Sequence, residues 1–352
     1  MKIELAVIGQ GAVSPAGVGV DALLHREPAP ASVAALGQPD QPWPVLRVDL
    51  KDPAFARWQR EPRLRRASSM TFFLVEAAEQ ALAGVSPADR AETGLIVAFS
   101  AGCITYSRRF FEGIVRQGMA SPALFPETVF NSPVSHVASV LGLNGAAYAL
   151  VGDETAWVAA LKTASVWLQK ERVRQVLILG AEEFDPIVLD AYRSVRWLRR
   201  QTSANGFLAS EGAAGILVRR AGPEDATRIT TARDGFIYRT KKEAALAAER
   251  LLSESDPAKP CYQSAQHNWL GSLEKRVTEN RPLAPVDDRP YLGEAFTASA
   301  AWHILRALSC LNDQVPRLLL PVWGLNHQLG LLELETRKKS EFPRQDADDR
   351  LF

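Results

Sequence analysis

The sequence is poor in cysteine. Cys103, Cys261 and Cys310 are the only cysteines among 352 residues, and no two of them form a CxxC pair. An odd number of isolated cysteines argues against a disulfide framework and favours a reducing compartment. We therefore expect no metal site, and we expect no cofactor.

Long apolar runs and an excess of charge of one sign are also missing. No apolar run approaches the roughly 18 residues of a membrane span. The opening segment MKIELAVIGQGAVSPAG lacks the apolar core of a signal peptide. Lys and Arg number 41 against 40 Asp and Glu, so the net charge does not indicate a nucleic-acid partner. These absences predict a cytoplasmic protein.

The pattern that is present is typical of an α/β protein. Apolar runs such as TGLIVAFSAG and VRQVLILGAEEF indicate buried strands, and segments such as SSMTFFLVEAAEQALA indicate the helices between them. This alternation predicts sheets covered by helices on both faces. The chain also exceeds the roughly 250–300 residues that one core serves, so we expect two fused halves. The proline-rich stretch 26–64 is predicted to be irregular.

The segment YALVGDETAWVAAL (148–161) combines a short apolar run, a Gly-Asp bend and a helix. A strand that turns abruptly into a helix is a common way to present a nucleophile beside converging backbone N–H groups. The side chain in the presenting position is Glu154. We interpret it first as a structural first-turn carboxylate or a buried partner of an arginine; a ligand-facing role and a catalytic role remain open.

Several segments, in this order, resemble the β-ketoacyl-acyl-carrier-protein synthases of the thiolase fold between about residues 3 and 334. They are VIGQGAVSPAGVG, LGLNGAAYALVGDETAW, LILGAEE, ANGFLASEGAAGILV, RPYLGEAFTASAAW and VWGLNHQLGLLEL. The resemblance implies a thiolase-like fold in which two related halves form a five-layered αβαβα sandwich. The expected divisions are an N-terminal half with insertions (1–220), a reduced C-terminal half (221–335) and a charged tail (336–352).

The resemblance also allows the catalytic positions to be checked. That family condenses acyl chains with a cysteine thiolate and two histidines. In this sequence Glu154 stands at the cysteine position, Glu294 at the second histidine and Arg289 at the family's lysine. The family's first histidine falls within YQSAQHNWLGSLE. This segment contains His267, but it does not show which residue corresponds to that histidine. We therefore predict no catalytic residue, a helix-capping role for Glu294, and a raised pKa if Glu154 and Glu294 approach each other.

A synthase homologue without its nucleophile resembles the chain-length-factor subunits of type II polyketide and aryl polyene systems. This resemblance implies a heterodimer with an active ketosynthase, acyl carrier protein as a second partner, and control of the acyl tunnel. The first alternative is a decarboxylase-like subunit that generates starter units from malonyl-carrier protein. The second is a homodimeric pseudoenzyme that binds acyl chains or carrier protein as a scaffold.

Two groups of residues are candidates for these roles. Large apolar side chains suited to lining or closing a tunnel are Phe110, Phe111, Leu124, Phe125 and Phe130, for which plain core or dimer packing is the alternative. Candidates for docking an acidic carrier protein are Arg63, Arg65, Arg66, Arg196, Arg199 and Arg200, for which solvated surface charge is the alternative.

Overall fold

A computed structural model describes residues 2–36, 38–199, 206–265, 268–285 and 290–337 of the chain. The strands within these residues are β1 (Lys2–Ser14), β2 (Gly17–Val18), β3 (Pro30–Ala35), β4 (Gln38–Leu46), β5 (Thr93–Phe99), β6 (Ala147–Val151), β7 (Gln175–Glu182), β8 (Ala209–Ser210), β9 (Gly212–Arg220), β10 (Thr227–Arg233), β11 (Arg317–Gly324) and β12 (Gln328–Thr336). The helices are α1 (Val20–His25), α2 (Ala56–Gln59), α3 (Ser69–Ala81), α4 (Pro87–Ala91), α5 (Ile104–Gln117), α6 (Asn131–Leu141), α7 (Ala156–Gln169), α8 (Pro186–Ser194), α9 (Lys241–Ser253), α10 (Asn268–Val277) and α11 (Thr297–Cys310).

One mixed sheet runs through both halves of the chain in the order β11-β12-β10-β1-β9-β7-β5-β6, with β2 paired to β1. β5 is parallel to β6 and β7, whereas β7 is antiparallel to β9. Every residue of β5 and β7 is buried. Burial on both faces explains why these strands read as continuous apolar runs instead of alternating patterns.

The helices divide the structure into five layers. α3 and α6 cover one face of the first-half strands, and α7 and α11 lie on the other face. α7 also contacts β10 and β12, and α11 contacts β11, so these two helices lie between the strands of the two halves. α9 packs on β12 and α10 packs on α9 as the outer layer. The predicted α/β class and layered arrangement are confirmed.

The central helices carry the largest fully buried side chains of the core. Trp157 of α7 and Trp302 of α11 are almost completely excluded from solvent. The indole Nε1 of Trp157 donates a 2.8 Å hydrogen bond to the carbonyl oxygen of Thr297. Because a buried indole N–H without an acceptor is costly, this bond fixes the start of α11 against α7. The helix that follows the elbow is therefore firmly anchored.

The prediction of irregular structure over the proline-rich stretch was wrong. β3 and β4 form an antiparallel hairpin, and β4 continues parallel to β8 in a separate three-stranded sheet. Pro42 and Pro44 lie in the part of β4 that pairs with β3 alone, and β8 pairs only beyond them. A proline is tolerated there because one edge of the strand needs no N–H donor.

Residues 259–265 form no regular strand, and Cys261 makes isolated bridges to Leu283 and Leu319. The charged tail lies outside the described residues beyond Arg337. Among the helices of the described ranges, none has the length and apolar character needed to cross a bilayer.

Candidate functional site

The strand-to-helix elbow (152–155) joins β6 to α7. Asp153 closes the bend, because its Oδ1 accepts hydrogen bonds from the backbone N–H of Thr155 at 2.9 Å and from the Thr155 hydroxyl at 2.5 Å. Asp153 thus forms a local turn ahead of α7, whose N-cap residue is Thr155 and which has no side-chain cap. Glu154 is left free to face inward, and it is 6% exposed.

The elbow carboxylates bind the turn between β11 and β12 (324–328). The Oε2 atom of Glu154 accepts a 3.1 Å hydrogen bond from the backbone N–H of Leu325. The Oδ2 atom of Asp153 accepts one of the same length from Asn326. A Cβ at Gly324 would lie 2.1 Å from Asp153 Oδ2, so glycine is required for this approach. The side chain at the presenting position therefore ties the first half of the chain to the last hairpin of the second.

The same turn is held from its other side. Tyr238 donates from its hydroxyl to the carbonyl oxygen of Gly324 at 3.3 Å, and its backbone N–H donates to the carbonyl oxygen of His327 at 3.0 Å. The rings of Tyr238 and His327 stack with centroids 5.4 Å apart. Thr155 adds a 2.9 Å hydrogen bond to Oε1 of Gln328. The turn is consequently fixed at both faces.

A small cavity lies behind the turn. Its lining includes Glu154, Glu294, Ser264, His303 and Trp323. Its volume is about 20 Å³, which is room for about one water molecule. An acyl group does not fit into this space as the turn stands.

Glu294 approaches the cavity from the start of α11. Its Oε1 accepts a 2.8 Å hydrogen bond from the backbone N–H of Phe296. The backbone of Glu294 is itself bridged to the β8 region, because its N–H donates to Leu208 and its carbonyl oxygen accepts from Ser210. Phe296 has a φ of 44°, a strained value for a residue with a side chain. The chain thus enters α11 in a fixed, strained geometry that aims Glu294 at the pocket.

Burial and mutual repulsion keep protons on this pair of carboxyls. Burial is the larger cause of the raised pKa of Glu154, followed by the charges of Glu294 and Asp153. Burial also raises the pKa of Glu294, against hydrogen bonds from Ser299 and the backbone that lower it. No lysine or arginine lines the cavity within the described residues. The pair therefore retains a proton at a pH where exposed glutamates are ionised.

A further buried acid beside the cavity was missed from the sequence. Glu274 accepts hydrogen bonds at 2.8 Å from the indole Nε1 of Trp323 and from the backbone N–H of Ala265. Burial raises the pKa of Glu274 to about 7. Its sequence signal was its spacing from Leu270 and Leu273, which places it on the apolar face of α10.

The tunnel candidates lie at the surface. Phe110 packs against Phe111 and Phe125 with ring centroids 5.8 and 5.7 Å apart. Phe111 is 63% exposed and Phe125 is 58% exposed. Phe130 is also exposed and packs on Phe99, and Leu124 is half-buried. Phe111 and Phe125 are therefore not packed in the core of the chain. They form an aromatic cluster with Phe110, which is half-buried.

The docking candidates divide into engaged and available arginines. Arg63 donates to Glu61 Oε1 at 2.7 Å and to the carbonyl oxygen of Ser139 at 2.6 Å. Arg65 and Arg66 are exposed, and neither forms an ion pair with any described residue. Arg65 and Arg66 are therefore the available members of the first cluster.

Arg196 and Arg199 of the second cluster are exposed, and Arg196 has a φ of 61°. Arg200, Arg289 and His267 lie outside the described residues. No cluster of three or more histidine, cysteine or carboxylate ligands is placed to bind a metal ion in the part of the chain that is described.

Comparisons with known proteins identify the fold. The sequence profile of the beta-ketoacyl synthase N-terminal domain matches residues 35–223. The ishigamide ketosynthase/chain length factor is similar in structure, with a TM-score of 0.76 and 17% identity over 95% of this chain and 100% of that chain. A search of curated proteins found no match.

Two structures of complexes are also similar. One is the ketosynthase ApeO with its chain length factor ApeC from Xenorhabdus doucetiae, with a TM-score of 0.71 and 14% identity over 95% of this chain and 98% of that chain. The other is AntDE:AntF, a type II PKS acyl-carrier protein with its ketosynthase, with a TM-score of 0.71 and 14% identity over 96% of this chain and 100% of that chain. At identities this low, structural similarity establishes the fold alone. It confirms the predicted thiolase-like architecture.

The buried carboxyls predict an unusual dependence of stability on pH. Their folded pKa values lie above the unfolded value of about 4.3, so the unfolded state loses these protons first as the pH rises. The free energy of unfolding should fall between about pH 4.5 and pH 8. Glu294→Gln should flatten this fall and stabilise the protein at pH 8.5 by about 1–3 kcal/mol. Chemical denaturation followed by tryptophan fluorescence at each pH measures both effects.

Glu249→Gln provides the control for this prediction, because Glu249 is an exposed carboxylate of α9. It should leave the slope unchanged. Equal slopes for Glu294→Gln and the unmodified chain would contradict the assignment of the pH dependence to the buried pair.

Proposed function

The chain belongs to the β-ketoacyl synthase family, and from this premise we propose that it is a non-catalytic subunit of the chain-length-factor type. It pairs with an active ketosynthase and shapes the acyl tunnel during type II polyketide or polyene elongation on acyl carrier protein. The observation that carries the proposal is the contrast between a small carboxylate pocket at the elbow and an exposed aromatic cluster on α5 and the neighbouring 3₁₀ helix.

The residues and the small size of the pocket argue against a reaction catalysed by this chain. Glu154 cannot supply the thiolate with which the family forms its acyl intermediate. The cavity of about 20 Å³ has no room for an acyl thioester. Glu294 brings no positive charge to a developing enolate, and above its raised pKa of about 7 its ionised form would oppose one. The same argument disfavours the decarboxylase alternative.

The exposed edge of the large sheet supports a partner subunit. β6 pairs with β5 alone among the described strands and forms the edge. Its sequence AYALV is apolar, yet Tyr148 is 52% exposed and Val151 is 58% exposed. An exposed apolar edge strand is a template for pairing with another chain. A heterodimer in which this strand pairs with a ketosynthase strand covers the edge.

The related complex of a ketosynthase with its chain length factor supports a heterodimer over a homodimer. A second copy of this chain remains the alternative occupant, and it corresponds to a homodimeric scaffold that binds acyl chains or carrier protein. The heterodimer and the homodimer predict different activities. Only the heterodimer brings a thiolate nucleophile to the complex, and only it yields products.

The aromatic cluster supports control of product length. Side chains that end an apolar tunnel limit the chain by their volume, and overpacking such a space is costly. Phe111 and Phe125 are large, exposed and adjacent through Phe110. In the proposed heterodimer these rings enter the floor of the tunnel of the active subunit.

The first test replaces the cluster in the complex with an active ketosynthase. Phe111→Ala and Phe125→Ala should lengthen the product by at least one extension unit, because they enlarge the end of the tunnel. Ala123→Phe should shorten it. Mass spectrometry of carrier-bound products measures the length distribution. Because both rings are exposed, their removal should lower the free energy of unfolding by less than the about 3–5 kcal/mol expected for a buried phenylalanine.

Leu246→Ala is the matched control for this test, since Leu246 is an exposed apolar residue of α9 in the opposite outer layer. It should leave the products unchanged. A distribution that stays the same in all the cluster variants, in complexes that still assemble, rejects the tunnel role and favours the scaffold.

The second test restores the missing thiol. Glu154→Cys should give no condensing activity in the isolated chain, because Glu294 still occupies the position of the second histidine and the pocket stays closed. Incubation with malonyl- and acyl-carrier protein, followed by mass spectrometry, detects condensation. Glu154→Gln is the control without a nucleophile. Turnover by the cysteine variant alone would show that the site is catalytically intact apart from Glu154.

The third test concerns carrier protein. Because acyl carrier proteins of this kind are acidic, Arg65→Glu combined with Arg66→Glu should raise the apparent KM for carrier-bound substrate several-fold at low salt and little at high salt. The control reverses two exposed cations elsewhere, Arg239→Glu with Lys242→Glu. Equal effects of the two double variants, or no effect of salt, would exclude docking at Arg65 and Arg66.

A further inference from the structure

The helix that carries the aromatic cluster is not held by a buried apolar stripe. None of the residues of α5 is buried, whereas a surface helix is normally held by an apolar face against the core. Val115 is 84% exposed, and Ile114 is exposed as well. The packing partner of α5 is the short 3₁₀ helix Phe125–Thr128. The position of α5 must therefore depend on other contacts.

Those contacts come from acids that follow β7. The Oε1 atom of Glu183 accepts a 3.0 Å hydrogen bond from the backbone N–H of Thr105, in the first turn of α5. Both carboxylate oxygens of Asp185 accept from Nε of Arg108, at 2.8 and 3.0 Å. Glu183 and Asp185 are almost fully buried. A carboxylate at a helix N-terminus and a buried charge pair are both contacts of defined geometry.

The acids are themselves fixed. Glu183 accepts a second hydrogen bond from the hydroxyl of Ser69 at the start of α3. Asp185 also caps α8 by accepting from the backbone N–H of Ile187 at 3.0 Å. The anchor (Glu183 and Asp185) thus connects the start of α5 to α3 and α8. The opposite end of α5 has no comparable polar contact in the described residues.

We propose that Glu183 and Asp185 are positioning residues for the aromatic cluster, acting through Thr105 and Arg108 on α5, and that they thereby help to determine product length. This inference rests on the proposed function. Phe111 lies six residues beyond Thr105, about 9 Å along the helix axis. A change in tilt at the anchored end is transmitted to the ring, and a tunnel end responds to changes of about one methylene.

The experiment weakens the contact between Arg108 and Asp185 from each side in turn. Arg108→Met retains the aliphatic stem and removes the guanidinium, and Asp185→Asn retains the Oδ1 acceptor for the cap of α8. Each is assembled with the active ketosynthase, and the carrier-bound products are measured by mass spectrometry. Hydrogen exchange of residues 104–117 is measured on the same complexes. If Arg108→Met does not assemble, Arg108→Gln replaces it.

We expect both variants to broaden the product distribution, with at least a twofold change in the ratio of the main product to its longer neighbour. Exchange within 104–117 should become at least tenfold faster. Arg108→Lys, which keeps the charge, should change the product distribution much less than Arg108→Met does. The control is Arg193→Met, because Arg193 forms an ion pair with Asp190 within α8, at 2.7 Å, and lies on a different helix from α5. It should change neither measurement.

The outcomes separate this inference from the proposed function. If Phe111→Ala alters the products and the anchor variants do not, the positioning role is overturned and the proposed function stands. If the cluster variants and the anchor variants all leave the products unchanged, the proposed function fails and the link between anchor and product length fails with it. A broadened distribution without faster exchange at 104–117 also overturns the inference, because the anchor would then act elsewhere.

Discussion

The hydrogen bond between Glu154 and the backbone of Leu325 joins the elbow in the first half of the chain to the last hairpin of the second. A buried carboxylate without a cation is normally costly. Here the cost is offset by backbone N–H donors and by retention of a proton, which the raised pKa of Glu154 reflects. The elbow has kept the geometry that presents a side chain, and its side chain serves to hold the last hairpin.

Buried acids and exposed aromatic rings occur together in this structure. Acids such as Glu154, Glu182 and Glu274 are buried, whereas Phe111 and Phe125 are exposed. Each buried acid accepts backbone or side-chain hydrogen bonds, so its burial is compensated locally. The exposed rings have no such compensation within the chain, and a partner surface is the arrangement that removes them from water. Stability within the chain and association with a partner are therefore assigned to different residues.

The sequence predicted those features that depend on local pattern. The buried strands β5 and β7 and the elbow were recognised because burial on both faces and the Gly-Asp bend leave signals within a few residues. The partner of Glu154 lies 171 positions away, and no local pattern encodes such a contact. The large apolar residues of this region were recognised as candidates from the sequence, but an apolar pattern does not distinguish packing in a core from packing against a partner chain. The engagement of Arg63 by Glu61 likewise depends on side-chain geometry that the sequence does not reveal.

Thr297 and Glu182 connect the start of α11 to the segment before α5. The hydroxyl of Thr297 lies 2.9 Å from the carbonyl oxygen of Ala98 and 3.2 Å from Glu182 Oε1, three residues after Glu294 in the chain. Glu182 in turn accepts from the backbone N–H groups of Ser100 and Ala101 in the segment before α5. Burial raises the pKa of Glu182 to about 8, whereas the hydrogen bonds it accepts from Ala101, Ser100 and Thr297 lower it, so these contacts favour the ionised form against the cost of burial. Rigid support of this kind explains why a centre without a nucleophile retains its buried polar groups: under the proposed function they fix the surface on which the partner's tunnel ends.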